Sequence, residues 1–559
     1  MKYFDLASRR LLKERKTECR RQAGQTVERV LEAKLSVCQL TGKWDLAMGL
    51  AVKCLGLADE LDDGERRAKS LNVIGFIHRT RGDYARALEH LERAASIYEK
   101  AGNLSEMATC LNNIGNVHAE RGDYAAALEK YRKSLRIKED VGDRRGQALS
   151  LNNIGNINLQ SGDYSQALEH YQSSMGILEE IGDRPGRAAS LNNIGLVHRA
   201  RGEYSRALEH YQEALGILEK IGGRPDQAVC LNNIGETLTD RGDHALAVRH
   251  LEKALRIAEQ IGDQMCQALC LDNIGNVHHI RGDFDRALEH HFRSLGIAEE
   301  IGDRRGQSYN LNNIAAVHYE RGDYARALEF HERSLLIREE IGDRRGQALS
   351  LNSLGSIHHD RGENALAMER HEKALGIFKE IGDQVGQADS LQKIGLVMAE
   401  GRDKVQALEC LGRSLDMQKE LGYDALRCGT LCEMAGIKAQ LGQPAQARKD
   451  IEESLAFSNE MKSVADEARC HRAYGLLFWK EDDLGKAMEH FEKAVSLCEE
   501  RKARHGLAHA LFDYGRMLKA SGERERARSC MQESRTLFGE MGLEHWVEKV
   551  EGELKAAAF

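Results

Sequence analysis

The sequence has only three prolines in 559 residues, and all three stand where a helical hairpin tolerates them. Pro444 takes the first position of a predicted helix, and Pro185 and Pro225 lie in connections between helices. Proline inside a helix removes a backbone donor and clashes with the preceding turn. Its scarcity, together with a high share of Ala, Leu, Glu and Arg, predicts a chain that is almost entirely helical.

Long apolar runs and an excess of charge are also absent. No apolar stretch approaches the roughly 20 residues that a membrane-spanning helix needs, and the N-terminal MKYFDLASRRLLKERK is too charged for a secretory signal. The 80 basic residues against 88 acidic ones give a net charge of -8, which argues against a general nucleic-acid binder. We therefore expect no membrane or nucleic-acid partner, and a cytoplasmic location.

The thirteen cysteines are odd in number and scattered, so they do not suggest a disulfide framework. Two pairs, Cys266 with Cys270 and Cys428 with Cys432, are four residues apart and could share a helix face. Neither pair has the short CxxC spacing of a usual zinc site, so we expect buried thiols and no metal. Several cysteines occupy a repeated slot that holds Ser150 or Ser190 elsewhere: Cys110, Cys230, Cys270 and Cys470.

What the chain does contain is one forty-residue phrase, repeated in phase. Residues 111–150 read LNNIGNVHAERGDYAAALEKYRKSLRIKEDVGDRRGQALS, and residues 311–350 repeat them closely. Matching blocks open at Leu71, Leu151, Leu191, Leu231, Leu271 and Leu351, and fainter ones at Leu31, Leu391, Leu431, His471 and Leu511. A fixed period of this length is typical of a solenoid, whose units bury their apolar faces only against their neighbours.

Each unit predicts two helices, A and B, because its apolar residues recur at helical spacing in two runs. Between the runs stands Arg121-Gly122-Asp123, where glycine suits a left-handed helix end and aspartate can cap the next helix. This turn also explains why Arg-Gly-Asp recurs at 81–83 and 321–323 without implying cell adhesion.

Small and large residues alternate within the unit: Gly115, His118, Ala127, Tyr131 and Ser134. This spacing resembles that of the tetratricopeptide repeat family, and the long units are similar to those of Pins-type adaptors and, more loosely, of kinesin light chains. The resemblance implies an all-α, right-handed superhelical solenoid of about thirteen helical hairpins. Pins-type adaptors carry G-protein-binding motifs after their repeats, and that part of the resemblance is not carried over.

The array is regular only over part of its length. We expect an N-terminal capping helix at 1–30, nine regular repeats at 31–390, degenerate repeats at 391–542 and a C-terminal capping helix at 543–559. In the degenerate part Gly401-Arg402 inverts the usual order, and Asp482 replaces the turn glycine.

An asparagine pair inside helix A is the most informative recurring feature. Asparagine in a helix interior costs roughly 0.6 kcal/mol relative to alanine, so its repetition indicates a compensating interaction. In tetratricopeptide arrays helix A lines the concave surface, and side-chain amides there can pair with the backbone of an extended peptide. The candidate groove residues are Asn113, Asn153, Asn193, Asn233, Asn273 and Asn313, with Asn116, Asn156 and Asn276 one turn further on. Alternatively, the amides bridge neighbouring helices; the two roles are compatible.

The last four repeats lack this ladder and offer Phe478 and Trp479 instead. These aromatic residues either contact a different partner or pack as part of a terminal cap.

No phosphate loop, nucleophile elbow or HExxH motif is present in the sequence, and the recurring histidines stand at a packing position of helix A. We therefore expect no enzyme and no cofactor. The predicted function is a scaffold or adaptor that binds an extended or helical segment of a protein partner in the groove. The alternative is a regulatory sensor whose superhelix responds to a peptide or small ligand; an enzyme or metal protein is the least favoured reading.

Overall fold

The computed structural model describes residues 44–401, 403–421, 424–461, 463–501 and 503–555, apart from the side chains of residues 424–426, 460 and 461. The predicted capping helix at 1–30 lies outside them. This part of the chain contains no strand and forms an all-α repeat solenoid. Its 26 helices are α1 Trp44–Glu60, α2 Gly64–Thr80, α3 Tyr84–Lys100, α4 Leu104–Glu120, α5 Tyr124–Asp140, α6 Arg144–Ser161, α7 Tyr164–Glu180, α8 Arg184–Ala200, α9 Tyr204–Ile221, α10 Arg224–Asp240, α11 His244–Ile261, α12 Gln264–Ile280, α13 Phe284–Glu300, α14 Arg304–Glu320, α15 Tyr324–Ile341, α16 Arg344–Asp360, α17 Asn364–Ile381, α18 Gln384–Glu400, α19 Lys404–Leu421, α20 Asp424–Gln440, α21 Pro444–Met461, α22 Val464–Lys480, α23 Leu484–Arg501, α24 Arg504–Ala520, α25 Arg524–Glu540 and α26 Glu544–Lys555.

The turns between helices follow from glycine and aspartate. Gly122 has a φ of 83°, a left-handed conformation that an L side chain rarely adopts. Asp163 accepts a hydrogen bond from the backbone N–H of Gln166 at 3.1 Å and so caps α7. Asp123 departs from this pattern: it makes no side-chain hydrogen bond with the first turn of α5, and its Oδ2 lies 3.5 Å from His118 Nδ1.

The degenerate turns differ in backbone conformation. Gly401, the first residue of the inverted pair, is extended, with φ −75° and ψ −167°. Asp482 takes the left-handed conformation normally held by glycine, with a φ of 64°. The turn is thus preserved at residue 482, although the side chain there is unfavourable for it.

The small residues of the unit allow two helices of one hairpin to approach closely. A Cβ on Gly115 would lie 2.5 Å from Tyr131 Cε1, so only glycine fits beside the ring. One turn away, Ser134 Oγ donates to the carbonyl of Ala108 at 2.7 Å, and Ala127 is fully buried. The alternation of small and large residues is therefore a packing requirement.

The even-numbered helices α2 to α24 correspond to helix A of each repeat and form the inner layer. Among the described helices, next-but-one neighbours make substantial contacts only within this even-numbered set. The odd-numbered helices α3 to α25 fan out behind them. We call the two sets the inner and outer helices.

Successive turns of the superhelix touch each other along a seam. The backbone N–H of Arg344 donates to the carbonyl of Arg121 at 3.1 Å, and Ile341 packs into the core around Tyr84. A Cβ on Gly122 would meet Arg345 and Ile381 at 3.3 to 3.6 Å. These contacts join residues about six repeats apart.

A second stretch of the seam lies near the C-terminus. A Cβ on Gly322 would lie 2.3 Å from Met541 Cγ, and one on Gly362 would lie 2.6 Å from the His545 ring. The last helix, α26, inserts Val550 into the cluster that contains Phe538 and Tyr324. The C-terminal segment therefore packs on the end of the array and on the preceding turn.

Candidate binding surface

The second asparagine of each pair lies on the inner helices and connects neighbouring repeats. In three repeats its Nδ2 donates to the first asparagine of the preceding repeat: Asn113 to Asn72 at 2.9 Å, Asn233 to Asn192 at 3.1 Å and Asn273 to Asn232 at 3.0 Å. Asn313 donates to both carboxylate oxygens of Asp272 in the same way. These four amides form a ladder that joins one inner helix to the next.

Asn153 and Asn193 occupy the same position but lie outside the ladder. Their side chains are half-buried and make no hydrogen bond with any described residue. The expected acceptors, Asn112 and Asn152, exchange hydrogen bonds with Ser150 and Ser190 at 3.0 to 3.3 Å instead. Two neighbouring amides of the inner wall are therefore unbonded within the described chain.

The residue in the small slot decides between these arrangements. Where the slot holds serine, the hydroxyl attracts the first asparagine and leaves the second one unbonded. Where it holds Cys110 or Cys230, burial raises the pKa of the thiol to about 12, and a neutral thiol is a weak hydrogen-bond partner. Cys230 Sγ donates to the carbonyl of Tyr211 at 3.2 Å, so the asparagines bond to each other. The identity of the slot residue, serine or cysteine, is therefore the sequence signal that distinguishes the two arrangements.

The candidate residues one turn further on have partners of their own. Tyr131 Oη donates to Asn116 Oδ1 at 2.7 Å, and Tyr171 Oη donates to Asn156 Oδ1 at 2.6 Å. Asn276 Nδ2 lies 3.4 Å from Asn273 Oδ1. These three amides are held by the protein on one side and remain half-buried.

Exposed apolar side chains stand beside three of these asparagines, of which only Asn153 is free. Leu149 is 52% exposed, Val229 is 41% exposed and Leu269 is 43% exposed. Each stands four residues before the second asparagine of its helix, so it lies one turn from that amide on the same face. The inner wall thus combines free amides with exposed apolar side chains. Leu149 and Val229 are two repeats apart, and Val229 and Leu269 are one repeat apart.

Charged groups on the inner wall are paired between repeats. Arg79 bonds to Glu120, and Arg199 bonds to Glu236 and, at 2.6 Å, to Asp240. Tyr319 Oη donates to Asp360 at 2.5 Å. A ligand therefore meets a wall whose charges are largely satisfied, and its main contacts are polar and apolar.

The two aromatic residues of the last repeats are placed differently from each other. Phe478 is only 6% exposed and packs between Tyr474 and His490. Trp479 is half-buried beneath the guanidinium of Arg516, which lies 5.5 Å from its ring centroid. Phe478 is thus part of the core, and of the two only Trp479 reaches the surface.

The cysteine pairs lie in the core of the array. Cys428 and Cys432 are joined there by Cys470 of the next inner helix, with 3.4 Å between Cys432 Sγ and Cys470 Sγ. The described residues contain no cluster of three or more side chains suited to a metal ion. No helix in that part of the chain is long and apolar enough to cross a membrane.

Comparison with known proteins agrees with the repeat architecture. A family model described as tetratricopeptide repeat matches residues 35–100, 66–140, 106–180, 146–220, 226–300 and 304–380, and a second one matches 468–501. A model described as anaphase-promoting complex subunit 5 matches residues 396–470. No curated protein matches the chain.

Two solved structures illustrate the likeness in fold. The APC/C hetero-tetramer Cut9-Hcn1 matches 94% of this chain and 90% of its own, with 13% identity and a TM-score of 0.50. A Rap protein complexed with competence and sporulation factor matches 64% of this chain and 99% of its own, with 14% identity and a TM-score of 0.48. At such identities the likeness concerns the fold alone.

Proposed function

This chain belongs to the tetratricopeptide repeat family, a family of protein-interaction scaffolds, and we propose that it binds an extended segment of a protein partner along its inner wall. The observation that supports this most directly is the pair of free amides at Asn153 and Asn193. Each offers a donor and an acceptor to a peptide backbone. The mechanism is binding, in which a preformed surface loses little conformational entropy.

The chemistry of the surrounding wall indicates what the segment contains. Leu149 lies one helical turn from Asn153, and Val229 lies one repeat beyond the helix of Asn193. An extended chain held at its backbone by these amides presents alternate side chains to the wall. We therefore propose a segment with apolar side chains at alternate positions and little net charge, since the charged groups of the wall are already paired.

The test uses a phage-displayed library of random linear dodecapeptides, selected on the intact protein and titrated by fluorescence polarisation. Asn153→Ala combined with Asn193→Ala removes up to four amide hydrogen bonds, each contributing about 0.5 to 1.5 kcal/mol. We expect the affinity of selected peptides to fall by at least about tenfold. The melting temperature should hold or rise, because neither amide has a described partner and alanine is the better helix former.

Two further variants serve as controls. Gln172→Ala with Gln212→Ala removes exposed amides from the outer helices of the same hairpins and should leave affinity unchanged. Ser150→Cys with Ser190→Cys should return Asn112 and Asn152 to the ladder and occupy the free amides, so that affinity falls without loss of any asparagine. Selected peptides that bind the alanine variant as tightly as the original protein would place the binding surface elsewhere.

A further inference from the structure

One recurring apolar position is buried wherever two turns of the superhelix meet. It is the first residue after each outer helix, or the last of that helix. In the second turn it holds Ile301, Ile341, Ile381 and Leu421, which are only 5 to 8% exposed. Ile341 and Leu421 face Gly82 and Gly162, where a Cβ would lie 2.8 and 2.9 Å from their side chains. The glycine-containing loops in the first turn of the superhelix thus contact the isoleucine and leucine side chains of the second turn.

The same position lies uncovered in the first turn of the superhelix. Val141 is 44% exposed and Ile181 is 41% exposed, and Ile221 and Ile261 are half-buried. Nearby Leu104 is also 44% exposed. We call these five residues the first-turn rim. The rim residues are apolar, like the buried residues at the same position in the second turn, but no other described segment of the chain covers them.

The opposite end of the array carries the complementary edge. Gly442 and Gly522 keep the left-handed turn, with φ of 76° and 86°, but no atom comes within 4 Å of a Cβ built on either. Val405 is 69% exposed and Leu441 is 39% exposed beside them. We call these four residues the last-turn rim. Its glycine turns lack the apolar side chains that cover Gly82 and Gly162.

We propose that the two rims join two copies of this chain head to tail, with the first-turn rim of one copy seated on the last-turn rim of the next. The contact continues the intramolecular seam, which already joins the same two kinds of edge. The charged groups at both edges are mostly paired within the chain, as Arg144 with Glu180 and Glu481 with Arg448, so the contact rests on the apolar side chains. An interface between two different surfaces can repeat from copy to copy, and because this one continues the superhelix along its own axis, the product is an open linear stack.

Sedimentation velocity of the full-length protein over a hundredfold range of concentration tests this. We expect the weight-average mass to rise with concentration. Val141→Asp with Ile181→Asp, or Val405→Asp with Leu441→Asp, should weaken self-association by at least about tenfold, because each inserts charge into an apolar contact. Leu336→Asp, at an outer-helix residue that is 56% exposed, is the control and should leave the stack intact.

Mixing the two rim variants identifies the geometry. Each variant keeps one intact rim, so the mixture should form a one-to-one dimer although neither variant assembles alone. A protein that remains monomeric at every concentration overturns the proposal. Dimerisation of the last-turn variant by itself would also overturn it, because that result requires two identical rims in contact.

Discussion

A buried histidine that packs against a glycine makes the stability of this chain depend on pH. His371 is 1% exposed and faces Gly355, where a Cβ would lie 2.6 Å from its ring. Its Nδ1 lies 3.1 Å from Asn352 Oδ1. Burial, with smaller contributions from Lys393 and two histidines, lowers its pKa to about 3. His331, in the preceding repeat, has its pKa lowered to about 3 by burial and by Arg338.

These values predict a loss of stability in mild acid. Because the folded pKa is below the unfolded value of about 6.5, the unfolded chain binds more protons as pH falls below 6.5, and folding is penalised down to about pH 3. At pH 5 the penalty is about 2 kcal/mol for His371. Between pH 7.5 and pH 5.0 the melting temperature should fall less in the His371→Tyr variant than in the original protein. Tyrosine fits this site, because Tyr171 occupies the same position beside Gly155. An unchanged shift would show that His371 is not neutral in the fold.

The asparagines show how far sequence alone reaches at this scale. Their recurrence predicts a compensating interaction. Whether an amide bridges two repeats or stays unbonded depends on whether a serine such as Ser150 or a cysteine such as Cys230 fills the slot of the next repeat, because the hydroxyl competes for the amide and the thiol does not. The exposure of Leu149, Val229 and Leu269 is not predicted from the sequence, because an apolar residue at helical spacing is first assigned to the core.

At the scale of single elements, the sequence specified nearly everything. Most helices of the regular array end at a turn whose glycine adopts positive φ, and an aspartate side chain caps many of the following helices because the chemistry is local. The degenerate turns were also visible in the sequence. The absence of a cap at Asp123 was not, and the neighbouring His118 does not explain it, because Asp323 keeps its cap with His318 at the same distance.

Asp482 provides a test of the turn. An L side chain in the left-handed region costs roughly 1 to 2 kcal/mol, less for aspartate than for most residues. We therefore expect Asp482→Gly to raise the free energy of unfolding by up to about 1 kcal/mol in urea denaturation. Gly442→Ala is the matched opposite: its Cβ would meet no atom within 4 Å, so any loss of stability is purely conformational. A destabilised Asp482→Gly variant would mean that the carboxylate itself contributes to folding.

At the scale of the whole molecule, the sequence predicted the solenoid but not the seam. Contacts such as Gly122 with Ile381 depend on the pitch of the superhelix, which accumulates from small rotations at every repeat interface. No local pattern records that sum. The isoleucines of the seam read as ordinary helix-end residues, and their burial differs between turns although their sequence context does not.

Ile341→Asp tests whether the seam holds the turns together. Burying a carboxylate against Gly82 and the core around Tyr84 is unfavourable by several kcal/mol, so the turns should separate there. Each repeat also packs against its neighbours in the same turn, and we expect those contacts to keep the helix content by circular dichroism the same. Small-angle scattering should show a larger radius of gyration and maximum dimension.

Val141→Asp changes the same position in the first turn, where the side chain is 44% exposed, and should leave the monomer's scattering unaltered. If Ile341→Asp keeps the original dimensions, the contacts between turns do not determine the shape; if it loses helix content, the repeats depend on more than their nearest neighbours.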